Sequence, residues 1–458
     1  MSLRDLFLFG ILGGLVPTIL AHPYIGALAW VWFGVMNPHR LTWGAAYHFQ
    51  FSFAIAILTA IGMLCTREHR VLKGGAAGIV LIVFTAWICV TTLFPFNPDA
   101  AFEYWKRVMK VFAMTGVLLL LLHTRRHVEI LVWTMAVSLG FYGIKGGIFT
   151  ILTGGNYMVN GPDDSVMQGN NSLAVGMIIV VPLLVHLYQQ YRSRWLRLGL
   201  AGAAALCALS VLGSYSRGAL LGVFAMGCLL WLRSTNKAPL LVVIVLFMLV
   251  TIPAMPENWT TRMRTLETYE EDSSALQRLA AWETAFNIAK DKFPIAGGLE
   301  WQSPETSARY SPAPEWEHVA HSIYFQVLGS QGFIGLGLYL LFWWLVWRQC
   351  AWIRRATRDQ ADLRWAFSLA SMTQVGLVGY AVGGAFLDLA FWDLPYYLFA
   401  AVCITQYIVR EQLTLRAQCS QVEPAPLEAH AMTGASLSVT AGSKPIASAQ
   451  ILPRWRDE

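Results

Sequence analysis

Apolar residues fall in long blocks along this chain, near residues 49–64, 75–94, 107–123, 128–152, 170–188, 196–213, 217–232, 237–253, 320–347, 364–387 and 394–409, after an opening stretch at 3–36. Blocks of this length predict membrane-crossing helices, since a hydrocarbon core takes about 20 helical residues. The opening stretch is interrupted at His22-Pro23 and is expected to make one net crossing as a long or broken helix. That gives twelve spans. One polar block breaks the pattern, from about Met255 to Ala320, with eleven acidic residues against six Arg or Lys.

Within that block Ser274, Ala275, Leu276 and Gln277 match a capping box, and a stripe follows through Leu276, Leu279, Ala280, Trp282, Ala285, Phe286 and Ala289 up to Phe293-Pro294. This predicts an amphipathic helix lying over the bundle, apolar face inward. Arg278 and Trp282, four apart, share one of its faces.

Composition agrees with a membrane protein. Of 458 residues, 56% are hydrophobic and 13% charged, and the mean hydropathy is +0.50, too apolar for a soluble domain of this size. Positive clusters at Arg67/Arg70/Lys73, Arg125/Arg126, Arg192/Arg194/Arg197, Arg233/Lys237, Arg348 to Arg364 and Arg410/Arg416 alternate along the loops. Lys and Arg near helix ends stay in the cytoplasm, so those loops and both termini are expected inside. The loops near 37–48, 95–106, 153–169, 214–217, 254–320 and 388–393 are then outside. The net charge of +6 is this orientation signal and does not imply a nucleic-acid partner. The expected organisation is a membrane bundle over 1–253, a loop domain over 254–320, further spans over 321–410 and a cytoplasmic tail over 411–458, rich in Ala, Ser, Pro and Thr and unstructured from about Gln418. None of the seven cysteines falls in the long outer loop, so no disulfide framework is expected. No cleavable leader is expected either. The sequence has no phosphate-binding glycine loop and no dinucleotide fingerprint, so a substrate or a gradient must supply energy.

The residues that could do chemistry collect on the outer side. Arg217, in the tight turn Gly213-Ser214-Tyr215-Ser216-Arg217-Gly218, starts a helix at the boundary with water. Its planar fork suits a lipid diphosphate, with the helix N-terminus adding donors and Tyr215 beside it; the alternative is an Arg reaching to headgroups. Lys145 lies within an apolar block toward its outer end, where a charge faces either a cavity or a carboxylate partner. Lys106 and Arg107, with Lys110, either bind substrate or anchor their helix. On the loop helix Arg278 could meet phosphate while Trp282 covers a sugar or a prenyl chain, or the pair is a solvated Arg beside a core Trp. His318 and His321 are three apart beside Glu315 and Glu317. A zinc site is conceivable there, but proton transfer from a sugar hydroxyl suits an imidazole better. Asp163-Asp164, and Asp99 with Glu103, read as solvated loop or cap residues rather than metal ligands.

Three ordered segments carry a resemblance: Ser214-Tyr215-Ser216-Arg217-Gly218-Ala219; Gln277 to Trp282 followed by Phe293 to Gly298; and His321-Ser322-Ile323-Tyr324 through Gly332 and Gly335. Together they are similar to the O-antigen ligase and polymerase superfamily over about residues 170–410, and the N-terminal part resembles the branch of O-glycosylation ligases found with exosortase systems. Ser322 stands where many members have Asn, and Ser330 where many have Glu. The resemblance implies a GT-C-type, inverting, metal-independent glycosyltransferase of the bacterial inner membrane, without cofactor. It would move a glycan from undecaprenyl diphosphate to a hydroxyl in the periplasm, with Arg217 and His321 catalytic and Arg278, Lys145, His318, Trp282, Lys106, Arg107 and Tyr215 binding substrate. The favoured acceptor is lipid A-core; a protein Ser or Thr, or a growing glycan, are the alternatives. A lipid-linked sugar transporter is the reading from another class, disfavoured because the charged candidates lie on one side.

Overall fold

The computed structural model of the protein describes residues 2–67, 70–234, 236–264, 273–313 and 319–422. Among these residues the structure is helical, with only isolated bridges at Gly161. In chain order the helices are α1 (Leu3–Ala21), α2 (Pro23–Met36), α3 (Ala45–His48), α4 (Phe51–Cys65), α5 (Gly75–Thr91), α6 (Pro98–Leu121), α7 (Arg125–Leu152), α8 (Asn170–Gln190), α9 (Arg194–Gly213), α10 (Arg217–Arg233), α11 (Lys237–Thr251), α12 (Glu257–Arg264), α13 (Ser273–Asp291), α14 (Pro304–Tyr310), α15 (Ile323–Thr357), α16 (Arg364–Gly383) and α17 (Asp393–Val422). Met1–Leu413 form one compact unit and Thr414–Glu458 a second. The part of the second that is described, 414–422, is helical, so helix extends past Gln418; the rest of the expected unstructured tail lies outside the described residues.

Among the described residues, six stretches are long and apolar enough to cross a membrane: α1, α7, α8, α9, α15, and Ala361–Phe386, which contains α16. Four further helices, α2, α4, α5 and α11, are apolar but shorter. The protein is therefore an all-α, multi-pass membrane protein. The spans differ in what surrounds them. The most apolar windows of α8 and of the α16 stretch are each 72% buried, whereas that of α1 is only 17% buried. A helix that is apolar all round sits inside a bundle or against lipid, and here the first pair is inside while α1 lies at the edge.

The opening stretch breaks at His22, as its sequence predicts, with Pro23 beginning α2 at the first helical position, where a missing N–H costs nothing. It does not make one net crossing. Arg4 Nη1 donates to the Leu41 carbonyl at 2.8 Å, and Ala46 N–H donates to Asp5 Oδ1 at 3.3 Å. The start of α1 therefore lies beside the chain that follows α2, and the two helices form a hairpin. Hydropathy registers a break but not the angle across it.

Helix α7 meets α9 through Gly143, Gly146 and Gly147. A Cβ on Gly147 would stand 2.3 Å from the Leu206 carbonyl oxygen, and one on Gly143 would stand 2.5 Å from Cys207 Sγ. Small residues let membrane helices approach this closely. A Gly147→Leu protein is expected to lose about 1–3 kcal/mol or more by overpacking, read as a lowered melting temperature in detergent. Gly199→Leu, at a position on α9 with nothing within 4 Å, is the control and should melt like wild type.

The same device brings α10 to α16. A Cβ at Gly222 would meet the Gly379 carbonyl at 3.0 Å, and one at Gly218 would meet the Phe386 ring at 2.9 Å. The first turn of α10 is thereby set against the end of α16.

The polar block contains the short α12 and α14 and the long α13, which packs on α15. Its inward face differs from the expected stripe. Ala281, Thr284, Ala285, Ile288 and Ala289 are buried, while Leu276, Leu279 and Phe286 are exposed by 38%, 47% and 46%. Close approach to α15 selects small side chains, and the large apolar ones turn outward.

Candidate active site

The turn before α10 is built to present Arg217. Tyr215 sits at φ +58°, and its hydroxyl donates to the Gly155 carbonyl at 2.6 Å. Ser214 Oγ accepts from Ser216 N–H at 3.2 Å, and Ser216 Oγ caps α10 by accepting from Ala219 N–H at 3.3 Å. Asn170 Nδ2 donates to the Ser214 carbonyl at 2.6 Å. With the turn held on both sides, Arg217 has little choice of direction.

Arg217 faces a polar cavity of about 250 Å³, shared with Ser216, Asn171, Arg262 from α12, Arg278 from α13 and His321. Gly383, Phe386 and Leu387 close it from the α16 end. Three guanidiniums thus converge beside the N-terminus of α10. Guanidiniums and a helix N-terminus both favour a phosphoryl anion. The volume is below the roughly 300–1,000 Å³ of pockets for drug-sized ligands, so the cavity fits a compact charged group rather than a whole glycan.

His321 stands just before Ser322, the N-cap of α15, in a left-handed conformation, φ +42°. Its backbone N–H donates to Asp388 Oδ2 at 3.0 Å, and its Nδ1 lies 3.3 Å from the same oxygen. Such a double hold fixes both backbone and ring. With Nδ1 turned to a carboxylate, Nε2 is the nitrogen left for chemistry. The other carboxylate oxygen, Asp388 Oδ1, is buried with no hydrogen-bond partner among the described residues.

Of the residues expected to be catalytic, the cavity gathers both Arg217 and His321, and of those expected to bind substrate it gathers Arg278 and Tyr215. The Tyr215 hydroxyl, however, is engaged by Gly155. Trp282 does not line the cavity. Its Nε1 donates to the Ala320 carbonyl at 2.8 Å, and its ring stacks on Phe325 at 4.9 Å. The indole therefore buttresses the residue before His321 instead of covering a ligand. Lys145 is also outside the cavity. Gly146 and Gly147 fill the contact with α9, so the next position round the helix, Lys145, is exposed. Lys106 pairs with Glu103 and lies over the Phe102 ring at 5.0 Å, which is the anchoring alternative. Arg107 is exposed and acts on Glu300. Desolvation pushes the Glu300 carboxyl above its ordinary range, Arg107 pulls it back and Asp388 adds to the rise. Glu300 itself is exposed and does not line the cavity. His318, and with it the zinc reading, lies outside the described residues. Asp164 bonds the Tyr47 hydroxyl and lies 3.7 Å from Arg40, a clasp between two loops.

Two members of the constellation escape sequence reasoning. Arg262 belongs to no recognisable motif; its only signal is Trp259, which packs with Tyr215 beneath the α10 turn. Asp388 stands between Leu387 and Leu389 in a short loop, where a lone carboxylate amid apolar neighbours was the available sign.

Comparison with known proteins covers most of the chain in two pieces. Residues 3–192 match a family of unknown function (DUF5935), and residues 202–340 match the family described as O-Antigen ligase. No curated protein matches. Arg217, Arg262, Arg278 and His321 all fall inside the second match, while Asp388 lies beyond it. Neither match separates the exosortase-associated branch from others. Through residues 202–340 the chain belongs to the O-antigen ligase and polymerase superfamily, whose work is the assembly of O-antigen or related glycans from lipid-linked substrates in a membrane.

Proposed function

We propose that the protein is an O-antigen ligase, a metal-independent, inverting GT-C-type glycosyltransferase that moves a whole glycan from undecaprenyl diphosphate to a sugar hydroxyl of lipid A-core. The observation that carries this reading is the convergence of Arg217, Arg262 and Arg278 with the Asp388-held His321 on one small cavity. The diphosphate occupies the arginine end. His321 Nε2 takes the proton of the acceptor hydroxyl as its oxygen attacks the anomeric carbon. The bond from that carbon to the phosphate oxygen breaks, and its electron pair leaves on the diphosphate. Three guanidiniums and the α10 N-terminus hold the growing negative charge, which is where fixed electrostatics help most. Asp388 keeps the imidazole oriented and balances its charge once it is protonated.

In this reading the cavity opens to the periplasm from the bacterial inner membrane, because the positively charged loops lie at the other end of the bundle. With α1 and α2 as a hairpin, the count becomes thirteen crossings, one more than the twelve expected, with the amino terminus outside.

The test is reconstitution with a lipid-diphosphate-linked glycan and one acceptor at a time. Glycosylated lipid A-core and stoichiometric undecaprenyl diphosphate are expected. A product on a Ser/Thr peptide alone would transfer the reading to protein glycosylation, and one on a second lipid-linked repeat to polymerisation. Donor that crosses the bilayer uncleaved would mean transport.

A further inference from the structure

Helix α13 presents its large apolar side chains away from the bundle, and Phe286 among them has a neighbour that says what lies there. Its ring meets Phe333 edge to face at 5.8 Å. Phe333 heads a series on α15, with Leu340, Leu341 and Trp344, that is exposed at helical spacing. In a membrane-crossing helix such a series faces lipid. The depth of its upper end follows from the backbone. Helix α15 is broken at Gly332, φ 68° and ψ −170°, where a Cβ would stand 2.9 Å from the Pro294 carbonyl oxygen. From Phe333 to Trp347, the last residue before the inner positive cluster begins at Arg348, the second piece rises about 21 Å at about 1.5 Å per residue, less than the roughly 30 Å of hydrocarbon. Phe333 therefore stands within the outer leaflet, a few residues short of the headgroups, and Phe286 stands with it.

We propose that α13 is an interfacial helix, seated in the outer leaflet at the junction of acyl chains and headgroups, with Phe286 and Leu279 in contact with lipid. Leu279 and Phe286 lie on one side at about 100° per residue, and Phe293, 66% exposed, continues the patch beyond the helix end. Glu283 and Lys290 are exposed on the same side, which suits a shallow seat where charges reach the headgroups and excludes a buried one. The consequence concerns access. Arg278 sits on the flank of this helix between the bundle face and the lipid face, so its guanidinium is held at the depth of lipid phosphates. A lipid-linked diphosphate reaches it by moving sideways in the leaflet, without lifting its chain into water. That last step rests on the transferase reading; the seat itself does not.

The experiment places the photo-crosslinking residue p-benzoylphenylalanine at Phe286, at Leu340 and at Glu305 in the full-length protein reconstituted in phospholipid vesicles. Leu340 is the lipid-facing reference and Glu305, exposed on α14, the aqueous one. After irradiation, mass spectrometry should find phospholipid adducts at 286 within about threefold of those at 340 and at least tenfold above those at 305. Equal yields at 286 and 305 overturn the proposal. Adduct formation needs no turnover, so it is unaffected if the protein proves not to be a transferase. For the access step, Phe286→Glu should raise KM for the full-length lipid-linked donor at least fivefold and leave a short-chain, water-soluble diphosphate donor unchanged. Equal effects on both donors would remove the access step and leave the seat standing.

Discussion

An Arg217→Ala protein is expected to transfer glycan at less than about one hundredth of the wild-type rate, since removal of one positioned donor from a charge-stabilising site costs about 10²–10³ in turnover. The loss should fall on kcat more than on the donor KM, because the charge on the leaving diphosphate is larger in the transition state than in the bound donor. Folding should be spared. The turn is held by Ser214, Ser216, Tyr215 and Asn170, so the variant should still melt in one cooperative transition. Arg217→Lys should recover only part of the rate, as an ammonium keeps the charge and loses the bidentate fork. The measurement is initial product formation at saturating donor in vesicles. An Ala variant that works at half the wild-type rate would remove Arg217 from the mechanism.

His321→Ala and Asp388→Asn should each lower turnover by about 10²–10⁴, the range for a lost general base. They differ in cause. The first removes the proton acceptor, whereas the second leaves the imidazole in place and takes away the carboxylate that fixes its Nδ1 tautomer. Groups that act as one unit fail together, so the double variant should be no slower than the slower single one. Multiplicative losses in that cycle would show that Asp388 acts independently of His321. Donor binding is the control for both. The arginine end of the cavity is untouched, so affinity for undecaprenyl diphosphate should change by less than about threefold.

Part of this constellation is readable along the chain. Arg217 is legible because a Gly- and Ser-rich turn between two apolar blocks places a cation at the membrane boundary, and His321 because it stands at the mouth of a span. Arg278 is legible as one face of an amphipathic helix. Trp282 and Lys145 are not, although Trp282 sits one turn from Arg278, which does reach the cavity. Spacing gives the face of a helix only relative to its own axis, and the packing partner fixes which face is inward. For α13 that partner accepts Ala281, Ala285 and Ile288 and leaves Leu279 and Phe286 outside. For α7 the glycines choose the face against α9 and leave Lys145 exposed.

By itself the sequence determined the helices, their membrane setting and the polar block that caps one end, since hydropathy and charge act residue by residue along a chain whose backbone must bond to itself in lipid. Only the tertiary structure decided that α1 turns back on α2, that Arg262 joins Arg217 and Arg278, and that Asp388 holds His321 from 67 residues away. These are convergences of segments remote in sequence, fixed by glycine-mediated helix contacts and by the turn of a few loop residues, and no local pattern encodes where two distant segments meet.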